Sequence, residues 1–101
     1  MVRVPTHAAP PHPGEIIATM YLAPLKMTQV EFAERLGVPF QRVNAIINGH
    51  RGITPDTALR LARVFRTSPD YWLNLQQMTD LYEAMHSEGA KKIEKLEPIS
   101  A

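Results

Sequence analysis

The apolar positions of this chain recur at spacings of three and four between short polar or proline-bearing breaks. That is the pattern of amphipathic helices, and no stretch alternates as a strand would. Ile16, Ile17, Met20 and Tyr21 mark the core face of a first helix, opened by His12-Pro13-Gly14-Glu15 and ending close to Pro24. Phe32, Ala33 and Leu36 mark a second helix, started by Thr28 and Glu31 as a T-x-x-E capping box and stopped by Gly37. Val43 and Ile46 mark a third. Pro39 stands where its cap should be, so a side-chain cap worth ~1 kcal/mol is missing, and Gly49 suits a left-handed C-cap. Ile53 to Phe65 forms a fourth, with Thr54 as N-cap, Pro55 and Asp56 in the first turn, and Ala58, Leu59, Leu61, Ala62 and Phe65 inward. Arg60, Arg63 and Arg66 fall on its outer face or end. Ser68-Pro69-Asp70 opens a fifth that runs to about Glu88, where Gly89 stops it, and its Trp72 and Leu73 seal the core. The expected fold is all-α with five helices. Residues 1–11 read as a flexible arm, 12–88 as the domain, and 89–101 as a polar tail or short frayed helix.

Gln29 to Ile47 is the centre of this arrangement. A small Ala33, a glycine at the turn and two inward aliphatics, Val43 and Ile46, form the signature of a helix-turn-helix. The second helix of such a pair lies in the DNA major groove. Its outward residues here are Phe40, Gln41, Asn44, Ala45 and Asn48, with Arg42 on the flank. Gln and Asn pair with adenine through one donor and one acceptor, and an apolar group touches a thymine methyl. Phe40 is open to two readings: pressing on such a methyl, or packing beside Pro39.

The chain has 101 residues, enough for one small domain, and a net charge of +1. That charge is unevenly spread. Met1 to Arg66 carries eight Lys and Arg against four Asp and Glu, and Thr67 to Ala101 carries three against six. A basic front half suits a phosphate backbone, and an acidic back half suits a cationic protein partner. No apolar run is long enough for a membrane span, the N-terminus lacks the apolar stretch of a secretory signal, and there is no cysteine. A cytoplasmic protein is expected. His7, His12, His50 and His86 are scattered without ligand spacing, and Asp56 and Asp70 have a sufficient role at helix N-termini. No metal, cofactor or catalysis is expected.

Gln29 to Gly49 resembles the DNA-binding segment of the lambda-type (Cro/C1, XRE) repressors. HPGEI at His12 to Ile16, A-P-L at Ala23 to Leu25, NGHRGITPDTALRLARVF at Asn48 to Phe65 and TSPDYWLNLQ at Thr67 to Gln76 are similar to the HigA-like antitoxins of bacterial toxin–antitoxin modules. The likeness spans His12 to Leu81. It implies a dimer that represses its own operon and neutralises a small basic toxin that cleaves mRNA. It also implies base-reading by Phe40, Gln41, Asn44 and Ala45, and phosphate contacts at Gln29, Arg42 and Asn48. Thr28 and the basic loop residues His50 and Arg51 complete the candidate phosphate contacts. Pro39 and Phe40 depart from the usual family pattern, in which small polar or basic residues stand there.

Leu75, Met78, Leu81, Tyr82 and Met85 form a stripe that outruns a small core. It reads as ordinary core or as the seam of a homodimer. A dimer would set two reading helices about one DNA turn apart, ~34 Å, on a palindromic operator. Two rival functions stand beside the antitoxin. One is a protein-interaction module on a helix-turn-helix scaffold, suggested by the acidic Asp70, Asp80, Glu83 and Glu88. The other is a stand-alone repressor without a toxin.

Overall fold

A computed structural model describes residues 8–100. The part of the expected arm at residues 1–7, including His7, lies outside the described residues, and Ala8 to His12 carries no helix or strand. The first helix, α1, is continuous but winds in three parts: Pro13–Ile16, a wider π segment Ile17–Leu22, and Ala23–Leu25. Then come α2 (Gln29–Leu36), α3 (Phe40–Ile47), α4 (Pro55–Phe65), α5 (Pro69–Met85) and a short α6 (Ala90–Glu94). Among the described residues there is no strand.

Four of the six helix starts carry a side-chain acceptor for an orphan N–H. His12 Nδ1 accepts from the Gly14 N–H at 2.9 Å, a cap that the sequence pattern did not suggest. Thr28 and Glu31 form the reciprocal capping box, with Oγ1 accepting from the Glu31 N–H at 3.1 Å and Glu31 Oε1 accepting from the Thr28 N–H at 3.0 Å. Those bonds to Thr28, first from its backbone and then its hydroxyl, hold the Glu31 carboxyl below the ordinary carboxylate range. Thr54 and Ser68 cap α4 and α5 through the N–H groups of Thr57 and Tyr71. No side chain caps α3 at Pro39. The ends of α1 to α4 are Schellman turns. After α2, Gly37 sits at φ 71° and the Val38 N–H reaches the Ala33 carbonyl. After α3, Gly49 sits at φ 76° and the His50 N–H reaches the Ala45 carbonyl. Lys26 and Arg66 end α1 and α4 in the same left-handed conformation without being glycine, at φ 52° and 57°.

The core is one cluster in which Ile17, Leu22, Phe32, Ala33, Leu36, Val43, Ile46, Ile53, Ala58, Leu61 and Trp72 are buried. An aromatic group closes it. Phe65 stacks on Tyr21 at 4.0 Å and on Phe32 at 5.3 Å, and Trp72 lies 5.9 Å from Phe65 with its indole N–H donated to Thr67 Oγ1. Gln76 of α5 clasps the segment before α4, its Oε1 accepting the Ile53 N–H at 2.8 Å. The molecule is long for its size, 53 × 25 × 22 Å.

Four sequence expectations are corrected. Met20 is 61% exposed rather than inward, because the π segment turns through a smaller angle per residue and carries it off the core face. That same widening lets the helix pass through Pro24 to Leu25. The Ala23 N–H reaches back five residues to Ala18, which changes the carbonyl stacking that a proline ring would strike in a regular α-helix. Leu59 is 62% exposed. The seam of α4 is taken by Ala58, Leu61, Ala62 and Phe65 at i, i+3, i+4 and i+7, and Leu59 lies one step round from it. Finally, α5 stops at Met85, not about Glu88, and Gly89 precedes α6 instead of closing α5.

Candidate nucleic-acid interface

The inner face of α3 fixes the direction of its outer face. Val43 and Ile46 are buried against α1 and α2, so Phe40, Gln41, Asn44 and Asn48 lie within one outward sector of the cylinder. Gln41 and Asn48 are exposed, Asn44 and Ala45 half-buried, and Phe40 42% exposed beside an exposed Pro39. Ala33 of α2 is buried, and α2 and α3 pack on one another.

Side-chain amides tie this face together across two helices. Asn44 Nδ2 donates to Gln29 Oε1 at 3.0 Å, and Asn48 Nδ2 donates to Asn44 Oδ1 at 3.2 Å. Gln29, at the start of α2, is thus joined to the middle and end of α3. Thr28 is exposed beside it, its hydroxyl engaged with Glu31 at 2.9 Å. His50 and Arg51 are exposed in the loop that leaves α3 at the Asn48 end.

Arg42 stands apart from this group. It lies about 160° round the helix from Asn44, and its guanidinium meets Asp56 of α4 at 3.4 Å. Asp56 also pairs with Arg60 Nε at 2.9 Å. Arg60 reaches farther, donating to the Leu36 carbonyl at 2.8 Å and the Gly37 carbonyl at 3.2 Å. A residue expected on an outer face therefore caps the end of α2 and braces the turn into α3. No local spacing could have revealed a bond across 24 positions.

Gly14 is a second support that the helical pattern missed. Its backbone lies against α3, where an added Cβ would overlap the Ile46 carbonyl and come within 2.8 Å of Ile47 Cα. Gly14 is buried, so α1 and α3 touch backbone to backbone.

On α5 the apolar stripe divides. Leu75 packs on the core, Met78 and Tyr82 are half-buried, and Leu81 and Met85 are 40% and 45% exposed. Tyr82 stacks on His86 at 4.1 Å. Leu81, Ala84 and Met85 face Ala90 and Ile93 of α6 across an open groove. No described helix is long and apolar enough to cross a membrane.

Residues 20–72 match the family model described as helix-turn-helix. The uncharacterized HTH-type transcriptional regulator YbaQ of Escherichia coli K12 is 47% identical over 73% of this chain and 66% of its own length. A HigA-family addiction module antidote protein from Coxiella burnetii superposes with a TM-score of 0.83 at 44% identity, over 91% of this chain and 100% of that one. The antitoxin HigA of Pseudomonas aeruginosa, solved with the higBA promoter, gives a TM-score of 0.83 at 36% identity, over 90% of this chain and 99% of that one. With the motif residues in place on a matching backbone, the chain belongs to the lambda-type helix-turn-helix family, in its HigA-like group.

Proposed function

We propose that the chain is a sequence-specific DNA-binding antitoxin that represses its own operon and neutralises a small mRNA-cleaving toxin. The observation that carries the reading is the outward face of α3. It presents the amides Gln41, Asn44 and Asn48 together with Phe40 and Ala45, and it is held out from the core on a backbone that matches a HigA antitoxin solved with promoter DNA. Gln41, Asn44, Ala45 and Phe40 are the base-facing residues. Thr28, Gln29, Asn48, His50 and Arg51 border them on one side and meet phosphates, and Arg42 serves the other flank. A protein with this role works in the cytoplasm.

A repressor of this kind acts as a homodimer on a palindrome, because one short helix reads too few bases. Leu81 and Met85, left exposed with Met78 and Tyr82 beside them, supply the seam. The toxin, as a basic partner, meets the exposed acidic residues of α5 and the segment after it: Asp70, Asp80, Glu83 and Glu88.

The test is a gel shift on the duplex upstream of the chain's own gene, with and without the neighbouring gene product. Specific retardation at low protein concentration, altered by the neighbouring protein, supports the reading. Capture of a small basic protein with no retardation would favour an interaction module instead.

A further inference from the structure

The loop that leaves α3 carries His50 and Arg51, both exposed, and it is anchored twice. At its start the His50 N–H reaches the Ala45 carbonyl at 2.8 Å. At its end the Ile53 N–H reaches Gln76 Oε1 of α5 at 2.8 Å, across 23 positions of the chain. Gln76 Nε2 in turn donates to Asp80 Oδ1 at 2.9 Å, one turn farther along α5. We propose that Gln76 is a positioning residue for the phosphate contacts of His50 and Arg51, and that Asp80 holds its amide the right way round. The proposal rests on the DNA-binding reading above and extends the DNA-binding machinery to α5, outside the helix-turn-helix.

The polarity of this chain of bonds is forced from both ends. A backbone N–H only donates, and an ionised carboxylate only accepts. An amide between them has one orientation that serves both, with its oxygen toward Ile53 and its nitrogen toward Asp80. Asp80 is therefore more than one of several acidic residues on an exposed helix. Its carboxylate selects the face that Gln76 shows to the loop.

Gly52 provides a second, independent observation. The amide carbon, Nε2 and Oε1 of Gln76 lie 3.0–3.1 Å from the place where a Cβ on Gly52 would stand. Gly52 does not sit at positive φ, so its backbone accepts an alanine. The position is small because the Gln76 amide lies over it. Arg51 stands between the two anchors and inherits their order. Fixing the backbone of one residue costs about 1–2 kcal/mol. A loop ordered before the duplex arrives does not incur that cost again on binding.

The experiment uses the full chain and two readouts. The first is hydrogen exchange at the Ile53 amide without DNA. Exchange there is expected to quicken by about 2- to 10-fold in Asp80→Ala, the worth of one hydrogen bond, and by at least as much in Gln76→Met. Gln76→Glu combined with Asp80→Asn reverses donor and acceptor between the two side chains, keeps an acceptor for Ile53 and restores the protection. The second readout is Kd for the duplex upstream of the chain's own gene and for its single-base variants. Gln76→Met, Gly52→Ala and Asp80→Ala each weaken all duplexes by about 2- to 10-fold and leave the base preference as it was. Asp80→Ala does so although it removes a negative charge, a change that by charge alone would strengthen binding. With His50 and Arg51 already replaced by alanine, Gln76→Met adds no further loss, because the groups that it positions are gone. A general packing defect would still add its loss there, and matched thermal melts confirm that the variants fold. A Gln76→Met chain that holds DNA as tightly as the wild type, or whose loss persists without His50 and Arg51, overturns the positioning role. Unchanged Ile53 exchange in Asp80→Ala overturns the part given to Asp80. A wild-type chain that binds no duplex overturns the DNA-binding reading and this inference with it, whatever the exchange shows.

Discussion

Gly14 of α1 lies against Ile46 of α3 with no room for even a methyl group between them. The neighbour is backbone on both sides, so nothing flexible can yield. Gly14→Ala is expected to push α3 outward and cost about 1–3 kcal/mol, the range for overpacking a close-fitted interior. A thermal melt should fall by several degrees, and DNA affinity should fall further than the lost stability explains.

Lys26 and Arg66 occupy left-handed backbone that costs an L-residue about 1–2 kcal/mol. Glycine removes that strain but adds freedom to the unfolded chain. Lys26→Gly is therefore expected to stabilise by a net amount of about 0.5–1 kcal/mol, read as a rise in the urea midpoint at unchanged slope. A drop in midpoint would show that the lysine side chain contributes something that its exposure hides.

The capping box gives a pH dependence with a definite sign. The Glu31 carboxyl titrates below its ordinary 4.5 because the ionised form accepts bonds from Thr28. The unfolded chain therefore binds this proton at higher pH than the folded one. The stabilisation is complete above about pH 5 and fades as pH falls through the folded value. Melting temperature against pH should slope more gently for Glu31→Gln than for the wild type between about pH 5 and 3.

Arg51 is exposed in the loop after α3 and holds no ion pair among the described residues. Arg51→Ala should weaken binding to all duplexes alike and lower the slope of log affinity against log salt by about 1. An unchanged salt slope would remove this residue from the phosphate contacts.

Leu81→Asp combined with Met85→Asp places two charges on the exposed part of the α5 stripe. The expected product is a folded monomer with weak operator binding, seen as a halved mass in sedimentation and a normal helical spectrum. A persisting dimer would move the seam elsewhere.

The parts of this fold that were legible in the sequence are those decided within a few residues. Thr28, Thr54 and Ser68 mark helix starts because a hydroxyl must reach an N–H two or three positions on. Phe32, Ala33, Leu36, Val43 and Ile46 are buried in the register that their spacing predicts. What was not legible depends on contacts far apart in sequence. The backbone contact of Gly14 with Ile46, the reach of Arg60 to Leu36, and the Gln29–Asn44 bond join segments that no periodicity links. Met20 departs from its expected face for a different reason. Reading it inward assumes a uniform winding angle, and α1 does not keep one.

Gln76 clasps the Ile53 N–H from the same rod that carries the stripe at Leu81 and Met85. Two chains joined along that rod would behave as a caliper with welded jaws. Such a tool measures a fixed span and phase. Inserting a single base pair at the centre of the palindrome would rotate one half-site by roughly 35°, given 10–10.5 bp per turn. The second jaw would then miss its groove, even with every base that the protein reads still present.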